Sequence, residues 1–243
     1  MKKILLATVS MLALSTTVRA ADLPAKARTY APDPIPLWTG GYIGIQGGVT
    51  RHDASFNDLG CTFTCATHEG SETGGTIGGL LGYNWQRGTF VYGLEGDWGW
   101  IGAKATSEIS SSPFFSAESS FDVNWVATIR GRAGLAVDAT LLYLTGGIAF
   151  GHVKNSFTSF GSSGVFADFT HNQTKVGWTA GIGVEHMFGP HWTARAEFRY
   201  VDLGTTDVAC TQGVGNPICE ALGYRGEFSN TLMQGLVGLT YKF

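Results

Sequence analysis

Eight ionisable residues could act together if the chain placed them on one surface: Glu95, Asp97, Glu185 and Glu197 against Arg130, Arg132, Arg195 and Arg199. All eight sit in apolar stretches, where an isolated charge is costly and a paired one is tolerated. Four acids and four arginines can neutralise one another, so the set suits a salt-bridge network; an ion-selective pathway is the other chemistry it would support. Cys61, Cys65, Cys210 and Cys219 form a second set. Neither close pair has the spacing of a zinc knuckle, and the local bridges Cys61 to Cys65 and Cys210 to Cys219 are favoured among the three pairings that four cysteines allow. Pairing across the two loops is the alternative. Of six histidines, His52, His68 and His171 fall in polar connecting segments, His152 near an outer strand end, and His186 and His191 beside short turns. None joins a serine and an acid in an evident nucleophile, base and orienter group, so an enzyme is not expected. The glycine run from Gly74 to Gly79 lacks the lysine that a phosphate loop requires.

The elements that must hold these residues are strands. From Gly40 onward the chain alternates with a period of two over 40–51, 74–86, 89–104, 121–136, 139–154, 174–187, 191–204 and 230–243, and no segment shows a helical period. The intervening gaps alternate long and short. Short gaps at Gln86-Arg87-Gly88, Val137-Asp138-Ala139 and Phe188-Gly189-Pro190 carry turn residues and join antiparallel neighbours. The intervals 52–73, 105–120, 155–173 and 205–229 are long. An even number of strands, with tight turns at one end and long loops at the other, predicts an all-β fold: an eight-stranded antiparallel transmembrane barrel with three short periplasmic turns and four long extracellular loops.

Strand parity sets the two faces. Ile77, Leu81, Tyr83 and Trp85 oppose Asn84 and Gln86, while Phe90, Tyr92, Leu94, Trp98 and Trp100 oppose Glu95 and Asp97. Val123, Trp125, Ala127, Ile129 and Leu135 oppose Asn124, Thr128, Arg130 and Arg132. Further on, Val176, Trp178, Ile182 and Val184 oppose Glu185, and Trp192, Phe198 and Tyr200 oppose Arg195, Glu197 and Arg199. With the charged face outward, hydrocarbon would meet all eight charges, at about 2–4 kcal/mol for each basic one and somewhat less for each acid. That total exceeds the roughly 5–15 kcal/mol of a typical net stability. The charged face is therefore the lumen, which excludes a soluble ligand barrel of apolar interior. Aromatics fall at two levels: Tyr83, Trp85, Phe90, Tyr92, Trp192, Tyr241 and Phe243 near the short turns, and Trp98, Trp100, Phe121, Trp125, Phe150, Trp178 and Tyr200 near the long loops. Rings at two levels are interfacial girdles.

The rest of the chain agrees with export. Lys2 and Lys3 precede an apolar run from Ile4 to Leu14, too short to span a bilayer, and Val18-Arg19-Ala20 suits a signal peptidase. Residues 1–20 read as a signal peptide cleaved after Ala20, 21–37 as a proline-rich periplasmic leader, and 38–243 as the barrel. Cleavage removes Lys2, Lys3 and Arg19 and no acid, taking the net charge from −3 to −6, which suits no nucleic-acid partner. Glycine (35 of 243 residues) is abundant and charge (14%) scarce, as befits a chain whose outer face meets lipid.

Ala21-Asp22-Leu23-Pro24-Ala25, Trp38-Thr39-Gly40-Gly41-Tyr42-Ile43-Gly44, Tyr92-Gly93-Leu94-Glu95-Gly96-Asp97, Thr128-Ile129-Arg130-Gly131-Arg132 and the terminal Gly238-Leu239-Thr240-Tyr241-Lys242-Phe243 resemble the RopB-type small outer-membrane proteins of alphaproteobacteria. The resemblance spans the chain except for the long loops. It implies an OmpA-like barrel in the outer membrane of a Gram-negative bacterium, described as porin-like or as a surface antigen. It further implies that the insertion machinery reads Phe243, with Leu239 and Tyr241 on the same parity. Some such proteins bind haem, for which surface histidines and tyrosines would be the ligands; no other cofactor and no metal is expected. The reading that follows is a structural, envelope-stabilising barrel whose lumen is plugged by the charged set. Its surroundings are outer-membrane lipid and lipopolysaccharide, and its long loops face a host or extracellular ligand. A small-solute porin and a haem or ligand receptor are the alternatives.

Overall fold

The computed structural model describes residues 37–58, 67–102, 104–112, 115–161, 164–209 and 225–243. Ala20 with the expected signal peptide, the leader up to residue 36, and Cys61, Cys65, Cys210 and Cys219 lie outside the described residues.

Among the described residues nine strands follow one another: β1 (Gly40–Asp58), β2 (Thr67–Arg87), β3 (Phe90–Ile101), β4 (Lys104–Ser112), β5 (Phe115–Val137), β6 (Thr140–Gly161), β7 (Gly164–Met187), β8 (Trp192–Ala209) and β9 (Arg225–Lys242). All pairings are antiparallel; β3 and β4 both pair with β5, and β1 pairs with β9. β3 and β4 are thus two pieces of one stave, and the sheet closes as a barrel of eight. Two of the short turns need a left-handed residue, supplied by Gly88 (φ 61°) and Asp138 (φ 52°).

The strands continue beyond the membrane. β5, β6 and β7 hold 23, 22 and 24 residues, about twice the 9–11 that cross a bilayer. Much of the intervals 52–73, 105–120, 155–173 and 205–229, expected as loops, is therefore paired strand, as in Asn57↔Thr67, Gly161↔Gly164 and Ala209↔Arg225. Runs such as Thr106 to Ser112 carry no apolar alternation, so no period marks them.

The outer ladders also come apart. β2 pairs with β3 only from Thr76 to Arg87, and β7 with β8 only from Trp178 to Met187. Above those levels, among the described residues, the ladders form two four-stranded sheets, β2-β1-β9-β8 and β4-β5-β6-β7. The break on one side follows the end of β3 at Ile101; on the other, β8 shifts register between Asp202 and Thr205 around Gly204 (φ 71°). A bulge with a left-handed glycine bends its strand away from the regular ladder.

Between the ends, parity behaves as the alternation predicts on most strands. Leu94, Ile129, Leu144, Ile182 and Val237 are each 59–65% exposed on the outer face. From Phe90 to Trp100 the chain advances about 25 Å along the axis, at about 3.3 Å per residue and a tilt of about 40°, which matches the apolar band of an outer-membrane barrel. Rings meet around the lower rim: Tyr83 with Trp85 at 4.8 Å, Trp85 with Tyr92 at 5.7 Å, and Trp192 with Tyr241 at 5.1 Å. At the upper rim Trp178 meets Tyr200 at 5.4 Å and Trp125 stacks on His152 at 5.9 Å. The side chain of Phe121 lies outside the described ones. Ile129 sits midway between the rims, so Ile129→Arg should destabilise the barrel in lipid by about 2–4 kcal/mol, read as a lower urea midpoint in liposomes; an unchanged midpoint would place this face away from hydrocarbon.

One strand departs from simple parity. Val123 was expected on the lipid face and Asn124 in the lumen, but Val123 is 1% exposed inside the barrel and Asn124 points out. β5 inserts one residue here, with Val123 facing Val153 and Trp125 facing His152. A bulge reverses every side chain beyond it. Close strand approach explains several lumen glycines: a Cβ on Gly177 would overlap the Asp202 carbonyl oxygen, and one on Gly48 that of Gly235. Gly177→Ala should cost about 1–3 kcal/mol, as overpacking does, and lower the refolded fraction seen as the unboiled, faster-migrating gel species.

Candidate functional site: the barrel lumen

The register builds the site. Antiparallel pairing sets Glu95 opposite Arg130, Asp97 opposite Thr128, and Arg132 opposite Gly93 on β3 and β5. Glu185 lies opposite Arg195 on β7 and β8. All eight charged side chains reach the lumen and none is more than 8% exposed. Arg130 is the hub: Nη2 lies 2.5 Å from Glu95 and 3.0 Å from Asp97, and Nη1 lies 2.5 Å from Glu197. Arg195 reaches Glu95 at 2.6 Å and pairs with Glu197. Arg199 joins Asp97 at 2.8 Å and Glu197 at 3.0 Å. Arg132 pairs with Glu185 and stands 4.0 Å from Glu95. The charges balance, four against four, which a water-poor interior requires.

Neutral groups complete the layer. Tyr42 donates its hydroxyl to Glu95 (2.8 Å) and Tyr143 to Glu197 (3.0 Å). Tyr143 also lies under Arg132, whose guanidinium carbon is 3.8 Å from the ring centre. Glu185 accepts from Thr193 at 2.5 Å and Thr240 at 3.3 Å, and Thr128 donates to Asp97. Sequence reasoning missed both tyrosines; the signal that would have found them is lumen parity, Tyr42 with Gln46 and Tyr143 with Thr145.

The lumen is not uniformly polar, although the alternation set the charged face against the apolar one in mid-strand. Below the charges, Trp38, Val91, Ala136, Leu141 and Tyr143 form one apolar cluster; above them, Ile101, Val123, Val126, Ala149, Val153, Val201, Leu203 and Leu232 form another. Trp38, 1% exposed, comes from the segment just before β1 and is held by its backbone N–H, which donates to Gln86 Oε1 at 2.7 Å. The charge layer is thus sandwiched between two apolar ones.

The histidines are dispersed. His52, expected in a loop, is fully buried in β1, with Nε2 3.1 Å from Asn230 Oδ1. It is interior because β1 runs on to Asp58 with lumen parity. His186 bonds Thr140, and His191 bonds the Lys242 carbonyl at 2.9 Å. His152 stacks on Trp125, and no group of three metal-ligating side chains occurs among the described residues. The side chains of His68 and His171 lie outside the described ones. Leu239 and Tyr241 lie on the outer face of β9 and Phe243 follows its end; Tyr241 contacts Phe243 at 5.5 Å, and the Phe243 N–H donates to Gly41 O at 3.0 Å.

A closed antiparallel barrel with an apolar outer band, aromatic rims and charges inside is an outer-membrane β-barrel. Residues 10–243 match the outer membrane protein beta-barrel domain, and the chain belongs to that family. It is 33% identical, over the full length of both chains, to the 31 kDa outer-membrane immunogenic protein of Brucella melitensis biotype 1. It is 32% identical to the 22 kDa outer membrane protein of Rhizobium leguminosarum bv. viciae, covering 74% of this chain and 71% of that one. Among solved structures, the outer membrane protein OprG from Pseudomonas aeruginosa superposes with a TM-score of 0.51 at 14% identity, covering 86% of this chain and 99% of that one, a likeness of fold. The chain is accordingly a protein of the Gram-negative outer membrane.

Proposed function

We propose that the protein is a closed, envelope-stabilising barrel that carries outer strand ladders for surface interaction. The observation that carries this reading is the layered lumen, in which Arg130 is fully buried among three carboxylates between two apolar clusters. A solute passing through would have to separate those pairs in a low dielectric, so a porin is the less favoured role. The interactive part rests on the outer sheets: beyond the Gly102 N–H that donates to Gly75 O at 2.9 Å, the edges at 67–74 on β2 and 104–112 on β4 share no ladder among the described residues. A free edge accepts an extended peptide by strand addition. Lipopolysaccharide around the upper rim, and the insertion machinery at Leu239, Tyr241 and Phe243, are the other partners of this reading.

A strain lacking the protein tests it. Full-length chain, and chain with its outer hairpins trimmed to the upper rim, should both restore resistance to detergent, and only the full-length chain should restore surface adhesion. If the deletion instead lowered uptake of small hydrophilic solutes without weakening the envelope, the porin would replace this reading.

A further inference from the structure

A cavity of about 10 Å³ lies in the lumen against Gln46, Asp97, Val126, Arg199, Gln234 and Leu236. That is the room one water molecule needs. Three lining side chains have spent all but one of their polar groups on protein partners. Gln46 donates Nε2 to Asp97 (3.5 Å), and Gln234 donates Nε2 to Thr50 (3.0 Å). Arg199 uses Nε on Glu197 (3.0 Å) and Nη1 on Asp97 (2.8 Å). Gln46 Oε1, Gln234 Oε1 and Arg199 Nη2 are left buried without a protein partner. The three residues are 6%, 3% and 2% exposed, so bulk solvent does not satisfy them.

We infer that this cavity is a binding site for a single structural water, which accepts a hydrogen bond from Arg199 Nη2 and donates to Gln46 Oε1 and Gln234 Oε1. One donor and two acceptors are the complement of a molecule that accepts once and donates twice. Other small ligands fit worse. A bare cation would lie beside the Arg199 guanidinium, and a halide beside two amide oxygens and the Asp97 carboxylate. Turning the Gln46 amide over does not remove the demand, since it would press Oε1 onto Asp97. The water ties the salt-bridge layer to β1 and β9, the first and last strands, which must meet for the barrel to close.

The test is a crystal structure of the refolded protein at a resolution that shows other buried waters, with a second crystal soaked in bromide. A peak should stand about 2.7–3.2 Å from all three atoms, without anomalous signal in the bromide crystal. The double variant Gln46→Met, Gln234→Met should lose that peak while Arg199 keeps its pairs with Asp97 and Glu197. A wild-type map without the peak, a bromide signal at that position, or a peak that persists in the double variant would each overturn the assignment.

Discussion

Arg130→Met should destabilise the refolded barrel by about 3–5 kcal/mol, the cost of leaving buried charges without their partner. Arg130 pairs with Glu95, Asp97 and Glu197, all nearly inaccessible to water, so the variant strands one net negative charge in the lumen. Methionine keeps much of the volume, which separates loss of charge from loss of packing. Arg51→Ala is the internal control: its pair with Asp53 at 2.9 Å is 55% and 33% exposed and should be worth about 0–1 kcal/mol. Adding Glu95→Gln to Arg130→Met restores the charge balance and should recover part of the loss. Equilibrium urea unfolding in liposomes reads all three; equal midpoints for Arg130→Met and Arg51→Ala would mean that the lumen is hydrated and the pairs screened.

Trp38→Ala should cost about 3–5 kcal/mol, as large-to-small changes at buried aromatics do. The indole packs in the lower apolar cluster with Val91, Leu141 and Tyr143, and its removal opens the periplasmic mouth to water beneath Arg132. Trp38→Phe retains most of the apolar surface and should lie much closer to the wild type. Unfolding midpoints distinguish the two substitutions; a Trp38→Ala protein as stable as the wild type would show that the segment before β1 is not part of the barrel's core.

What was legible in the sequence follows from the physics of each region. Inside the bilayer one face meets hydrocarbon and the other does not, so Leu94 and Glu95, or Ile129 and Arg130, announce their sides by alternation. The charged set was readable for that reason. Trp38 was not, because a single buried residue after a proline-rich stretch has no period. The bulge at Val123 and Asn124 was missed because inserting one residue breaks the very pattern used to read parity. His52 passed for a loop residue because the inner face of this part of β1 is itself polar, with Thr50 and His52 buried and Asn230 bonded to the imidazole, so no apolar contrast marks the strand. The apolar lumen layers had a weak signal in Leu203, on the parity of Arg195, Glu197 and Arg199, and in Leu141 and Leu232, on the parity of Thr145 and Gln234.

The most direct test of the closed lumen is single-channel conductance of the refolded, full-length protein in a planar bilayer. The wild type should give no resolvable steps over long recordings, because two apolar layers and a neutral, fully paired charge layer bar the path. Stable, ohmic steps from the wild type, present in every preparation and scaling with salt, would contradict the account and make the protein a pore.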